Sequence, residues 1–360
     1  LEEQLLSSLN ALRGNILDND TVMNTLEQLK TEAASISKEM SQSEEIMRSI
    51  RESSRIYQPL SQACSQIYFI LDSLHRVRPL YRYSLHFFTS ILQAVLATPL
   101  DASLPPSQRM TLLLHALYRE VYARVSRGLT HLDSRVLALR LCQLYVQGTP
   151  EQPDPEELQL LLKGVSVSVD PTAEKFVTAV FGSALSEEQE AQMILHLSIE
   201  RTKALKRALL QKSAFWAADF RAAPLEALLP CVDEIGEEGW SRGRALWRWL
   251  LLVKELRPEL LVAAIEHVVT SLCDADFFKG EVFALRDVVV SEASAKMPVL
   301  LCSAPGYDAS KRVEQLYAEL QTPLESIAMG NAESFEQAER AIRAAAARGT
   351  AVLLRNVHLC

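Results

Sequence analysis

Glycine is scarce, at 12 in 360 residues, and the motifs that mark most metal or covalent-catalysis sites are missing. The six cysteines (Cys64, Cys142, Cys231, Cys273, Cys302, Cys360) lie far apart with no CxxC pair, which excludes a zinc ribbon or a dithiol redox centre. Each sits among apolar neighbours and reads as a buried free thiol, so a reducing cytosol is expected. The seven histidines form no HExxH, and His358 with Cys360 makes a poor metal pair, so no metal is expected. No GxSxG elbow occurs. The most apolar run, Leu246 to Val253, is too short to span a bilayer and contains Arg248, so no membrane segment is expected. Excess positive charge is also absent. The net charge of −8 and pI of about 5.5 argue against broad binding to nucleic acid or acidic lipid. No signal-peptide pattern is read in the sequence; Leu1 falls inside a charged helical pattern, and Cys360 directly follows an apolar run. Both ends read as cuts in a longer chain.

What is abundant is helix-forming sequence. Leu5, Leu9, Leu12 and Ile16 step by four, three and four, the spacing of a coiled-coil seam. The seam breaks at Gly14 and Asp18-Asn19-Asp20, a bend followed by a new N-cap. A second seam runs through Val22, Leu26, Leu29, Ala33, Ile36, Met40, Ser43, Met47 and Ile50. Two seams around a turn predict an antiparallel coiled-coil hairpin over 1–56, the alternative being one long amphipathic helix against a globular body. Pro59 is expected to end it. A helical unit follows over 57–150, with breaks at Pro79, at "ATPLDASLPPS" and at "SRGLTHLDS".

"QGTPEQPDPEEL", Gln147 to Leu158, reads as a linker rich in proline and acid. It closes on an N-cap at Asp154, with Pro155 and then an acid at Glu157, so a helix restarts there. Val165 to Val169 alternates like a short strand. Further helices are predicted from Asp170-Pro171, from Ser186 with Gln189, through Trp240 to Leu256, and from Pro258 to Cys273. The stripe Trp240, Trp247, Trp249 reads as core, and Lys203, Lys206 and Arg207 as a solvated face.

The last stretch changes character. Met297 to Ser303, "LESIAMG" and "AVLLRNVHL" read as strands separated by helices. The second helix carries a Ser334/Gln337 capping box and a Gly349 stop, and the pattern predicts a parallel sheet with crossover helices. The first strand–helix corner invites comparison with a phosphate-binding loop, GxxxxGK[ST]. Set from Gly306, the template's second glycine is Lys311, its lysine is Arg312, and its magnesium-binding hydroxyl is Val313. Asp308 is placed to cap the following helix and would repel phosphate. The matching second motif needs acids after an apolar strand. Here Arg355 and Asn356 follow Ala351 to Leu354. The oxygen ligands that metal and phosphate chemistry require are gone from both places, so no nucleotide is expected.

"LLCSAPGYDASKRVEQL", "SIAMGNAESFEQAERAI" and "AVLLRNVHL" closely resemble the sixth AAA+ module of cytoplasmic dynein heavy chains. "ILDNDTVMNTLEQLKTEAASISKEM" and "YQPLSQACSQIYFILDSLHRVRPLYRYSLHFF" resemble the strut (buttress) coiled coil and the small subdomain of the fifth module. The likeness is strong over 1–100 and 296–360 and looser through the middle, where "ELRPELLVAAIEHVV" is the best anchor. Lys311 and the divergent middle depart from the animal pattern and suggest a distant lineage.

The resemblance implies a mainly α fold with an α/β part. Residues 1–56 would be the strut, 57–150 the small helical subdomain of the fifth module, and 151–360 the large subdomain of the sixth, ending within its sheet. It implies a parent that is an ATP-driven, minus-end-directed microtubule motor, cytoplasmic and cytoskeletal, a homodimer with accessory chains. ATP and magnesium would bind in other modules. This segment would not be an enzyme and would hold no cofactor. Its partners would be the stalk coiled coil and neighbouring modules of the same chain, and the microtubule through the parent. Coupling would run through Leu5, Leu9, Leu12, Ile16, Val22, Leu26, Leu29 and Ile36, with the bend at Gly14 to Asp20 as the stalk contact. A free-standing coiled-coil adaptor or tether would account for the first 150 residues, and a working ATPase for the last corner.

Overall fold

The computed structural model describes residues 20–99, 103–164, 169–273, 284–293, 298–303 and 306–359. Two compact units divide the chain, residues 1–280 and 281–360. The first arm of the expected hairpin, with Leu5, Leu9, Leu12 and Ile16, lies outside the described residues, as do Val165 to Ser168 of the candidate strand and Cys360.

The first unit opens with one helix, α1, Asp20–Ser73, of 54 residues. At 1.5 Å per residue it is about 80 Å long. Pro59 lies inside it and does not end it, contrary to the sequence expectation, so residue 56/57 is not a break in secondary structure. An interior proline costs about 3 kcal/mol in lost hydrogen bonding and carbonyl clash. Directly after it, Leu60, Ala63, Ile67, Ile70, Leu71 and Leu74 are buried. Each large apolar side chain buried contributes roughly 1.5–3 kcal/mol, which outweighs the proline.

α1 packs on α2 (Leu85–Ala97), α3 (Pro106–Ser126) and α4 (His131–Tyr145). The Ser84 and Thr130 hydroxyls cap α2 and α4, accepting from the Phe87 and Asp133 amides. A polar clamp ties the turn after α1 to the start of α4. Asp133 Oδ2 accepts from Thr130 Oγ1 at 2.6 Å, Tyr81 Oη at 2.7 Å and Arg78 Nε at 3.2 Å. The two hydroxyls, with Arg78 behind them, hold its carboxyl below the usual range.

Five longer helices come next: α5 (Pro155–Lys163), α6 (Pro171–Phe181), α7 (Glu187–Leu197), α8 (Lys203–Gln211) and α9 (Arg242–Leu256). Three of their starts match the sequence signals. Asp154 and Asp170 cap α5 and α6, each with proline at the first helical position, and Ser186 with Gln189 forms the capping box of α7. α10, Leu261–Leu272, follows a short 3₁₀ turn at Pro258–Leu260.

The stretch from Gln147 to Leu158 is not a free linker. Ser241 Oγ donates to Pro150 O at 3.1 Å, Trp247 Nε1 to Glu151 O at 3.2 Å, and Arg244 Nη2 to Asp154 Oδ2 at 3.3 Å. Gly243 admits this close approach, since a Cβ there would come within 2.8 Å of Glu151 Cγ and 2.7 Å of Leu272 Cδ2. Hydrophobic packing is accordingly continuous from Leu60 to Cys273, across the proline-rich stretch.

The second unit contains α11 (Ser310–Glu319), β1 (Leu324–Ala328), α12 (Ala332–Arg348) and β2 (Ala351–Arg355). β1 and β2 are parallel, with Leu324 opposite Ala351 and Ala328 opposite Arg355, joined by the crossover helix α12. Ile327, Met329, Ala338 and Ala341 form the small core beneath this pair. Three expectations need correction here. Residues 298–303 are irregular, not a strand: no ladder partner is paired to them among the described residues, and Leu300 stays 62% exposed. The cap of α12 is Asn331, not Ser334. Asn331 Oδ1 accepts from Ser334 N at 2.8 Å, and Ser334 Oγ accepts from Asn331 N at 3.3 Å, so an asparagine does what a serine was expected to do three residues later. Cys302 is exposed, whereas Cys142, Cys231 and Cys273 are buried free thiols and Cys64 is half-buried. The Gly349 stop holds, with φ of 70° and its amide donating to Ala345 O.

Candidate functional site

The loop before α11 turns at Gly306, whose φ of +83° suits glycine far better than any L side chain. Asp308 Oδ1 then accepts from the Ser310 amide at 2.9 Å, filling the helix start that a phosphate would need. This bond, reinforced by the Ser310 hydroxyl and by the charges of Arg355 and Lys311, holds the Asp308 carboxyl below its ordinary range. Lys311 and Arg312 are exposed, and Val313 points inward, 6% exposed, as a core residue of the helix.

β2 ends at Arg355, half-buried, and Asn356 follows with φ of +59°, a left-handed position that asparagine tolerates. Asp308 thus senses a guanidinium at the strand end. A metal site would have this charge arrangement reversed, with acids on the strand and cations held between strand and loop. No group of His, Cys, Asp and Glu able to hold a metal occurs among the described residues.

The coupling positions are distributed along α1. Val22, Leu26, Leu29 and Ile36 all lie on the helix. Ile36 is exposed, and so are Met40, Met47 and Ile50 further along the seam. Their heptad spacing leaves an apolar stripe on a helix whose first buried residue among those described is Leu60.

Sequence reasoning missed the most elaborate polar constellation in the chain. Arg248, 0% exposed on α9, donates through Nε to Glu157 Oε1 of α5 at 2.6 Å. Its Nη1 donates to Ile235 O at 2.8 Å and Glu237 Oε1 at 3.1 Å, and its Nη2 to Arg201 O. His196, at the end of α7, places Nδ1 2.9 Å from Glu255 Oε2 and Nε2 3.6 Å from Glu157 Oε1. Burial disfavours the charged ring, but Glu255 and Glu157 outweigh it and push its pKa up to about 9. Burial pushes Glu255 up, whereas Glu157, also disfavoured by burial, is brought below its usual range by His196 and Arg248. Above the network, Trp240 lies under two guanidinium groups, Arg244 at 4.4 Å and Arg248 at 4.3 Å from the ring centre. Every polar group of Arg248 thus ends on a partner. The constellation joins α5, α7 and α9 as a lock between helices, and its outer members Arg201, Glu237 and Trp240 line an open pocket of about 630 Å³ together with Glu200, Lys203 and Glu238.

Residues 294–360 match the family model described as dynein heavy chain region D6 P-loop domain. The chain is also 35% identical over 370 residues to the cytoplasmic dynein heavy chain of Drosophila melanogaster, 35% over 362 residues to that of Caenorhabditis elegans, and 32% over 377 residues to that of Dictyostelium discoideum. Each alignment takes in 100% of this chain. The chain belongs to the dynein heavy chain family. It spans about 8% of the length of these relatives. The D6 match covers the Gly306 corner, β1, α12 and β2, so the P-loop comparison made on residues falls in the dynein region named for that loop. The Arg248 network lies in the dynein-like part of the chain that precedes it.

Proposed function

We propose that this chain is a mechanical segment of a cytoplasmic, microtubule-directed dynein motor, and that it conducts force without hydrolysing ATP. In this reading residues 1–56 form the strut, residues 57–150 belong to the small subdomain of the fifth AAA+ module, and residues 151–360 belong to the sixth. The strut is an antiparallel coiled coil that leans on the stalk, and neighbouring modules of the same chain are its other partners. The parent is a homodimer with accessory chains that reaches the microtubule through its stalk and walks toward the minus end. Its ATP and magnesium sites lie in other modules.

The observation that carries the non-binding reading is Val313. A residue that should offer a hydroxyl to magnesium is a buried hydrocarbon, and the helix start beside it is already taken by Asp308. The apolar stripe on α1 supports the coupling reading, because a solvent-exposed heptad seam needs a second helix.

Placing charges on the seam tests the coupling. In the intact motor, Leu26→Asp with Leu29→Asp should leave basal ATP turnover in place and abolish its stimulation by microtubules. Unchanged stimulation refutes the coupling role. The empty corner is tested separately by counting nucleotides bound per motor. Arg312→Ala should leave that count unchanged, and loss of one nucleotide would show that the corner is a working site.

A further inference from the structure

We infer that Pro59 is a built-in hinge that lets the outer part of α1 swing relative to the part rooted in the helical core. The inference starts from a coincidence of two boundaries. Proline lacks the amide that would bond the Arg55 carbonyl, and its ring crowds that carbonyl, so the helix is mechanically weakest over the turn from Arg55 to Pro59. The packing of α1 changes at the same place. Every described side chain from Lys30 to Pro59 is exposed, and Leu60, the next residue, is buried. From there Leu60, Ala63, Ile67, Ile70, Leu71 and Leu74 anchor the helix.

Downstream the anchor is doubled. The Asp133 clamp fixes Tyr81 and Arg78, just past the end of α1, to the start of α4, so the rooted part cannot roll. Upstream, the side chains described over residues 30–59 are exposed, so none of them buries against the core to resist bending. A weak turn placed at any other point would either lie within the packed portion, where neighbours would hold it straight, or in the free arm, where it would shorten the swinging element. At Pro59 the whole arm of about 60 Å (40 residues at 1.5 Å each) pivots as one rod. A small angular change at the root then becomes a displacement of many ångströms at the tip.

The hinge rests on the geometry of α1 alone, and its use in coupling rests on the motor reading above. Its test is a distance distribution in the intact heavy chain, between a donor and an acceptor dye introduced as unnatural residues at exposed Glu45 on the arm and exposed Gln108 on α3. Pro59→Ala restores the missing amide and suits a helix, so folding is not at risk. It should narrow the distribution by about half, because one helical turn regains its full set of hydrogen bonds. Moving the proline one turn upstream, Pro59→Ala with Arg55→Pro, should restore the width and shift the mean distance. Equal widths for wild type, Pro59→Ala and the displaced proline would overturn the hinge. Narrowing in Pro59→Ala with unaltered microtubule stimulation of ATP turnover would uphold the hinge and count against its coupling role.

Discussion

Arg248→Met is expected to destabilise the first compact unit by about 3–5 kcal/mol, because it strips the buried Glu157 carboxylate of its partner at 2.6 Å and leaves it only His196 Nε2 at 3.6 Å. It also removes the donors that satisfy the buried Ile235 carbonyl and the Arg201 carbonyl. Chemical denaturation read by tryptophan fluorescence measures the loss, since Trp247 and Trp249 flank the arginine on α9 and are buried. Adding Glu157→Leu to Arg248→Met should recover part of it, because the stranded carboxylate is then gone. If the double variant is as unstable as the single one, the cost lies in the lost carbonyl partners and not in charge.

The same network sets a pH dependence. His196 holds its proton more tightly folded, with a pKa of about 9, than unfolded, where the ordinary value is 6.5. Its contribution is therefore fully present below about pH 6.5 and is lost as pH rises to about 9. The raised Glu255 pulls in the same direction, since a carboxyl that prefers to stay protonated in the fold also loses by deprotonation. At 1.36 kcal/mol per pKa unit, the histidine contribution is on the order of 3 kcal/mol. Denaturation midpoints should fall across that window in the wild-type protein and stay flatter in His196→Gln.

Trp216→Ala should be nearly as damaging, at about 3–5 kcal/mol. Trp216 sits at the start of a π-helical turn, Phe215–Asp219, and is fully buried. Its ring lies 4.9 Å from Phe220 and 5.3 Å from Phe215, centre to centre, and Phe215 meets Phe220 edge-on at 6.1 Å. The indole N–H donates to Ala208 O at 3.2 Å, across to α8. Trp216→Phe keeps most of the ring and forfeits the bond, so about 1 kcal/mol should be lost. A thermal melt of the three proteins separates the two contributions. Equal losses in Trp216→Ala and Trp216→Phe would mean that the hydrogen bond, not the ring packing, holds this turn.

Local chemistry was legible where a single residue decides local geometry. Asp154, Asp170, Ser186 and Gly349 mark helix ends in the sequence and do so in the structure. The residue types at the Gly306 corner, Val313 and Arg355 among them, can be read against the phosphate-loop template without knowledge of neighbours. Two kinds of misreading had a physical source. Pro59 reads as a stop because helix propensity is local, whereas the apolar residues that carry the helix past it act through tertiary packing. Glu157 reads as an ordinary acid in the first turn of α5, yet its partner Arg248 is 91 residues away. No spacing rule reaches that far. Arg248 itself is hidden in the apolar run "LWRWLLLV", where a buried cation looks like an interruption rather than a keystone.

The stitched loop at Gln147 to Leu158 has a practical consequence for anyone who divides this polypeptide. Proline and acidic composition there invites a cut between recombinant pieces. Severing it after Glu151 would part the Trp247 indole from the Glu151 carbonyl and the Ser241 hydroxyl from the Pro150 carbonyl. Either half would then present raw apolar surface to solvent and precipitate. A subtilisin digest should leave this segment uncut long after the exposed arm of α1 has been trimmed away.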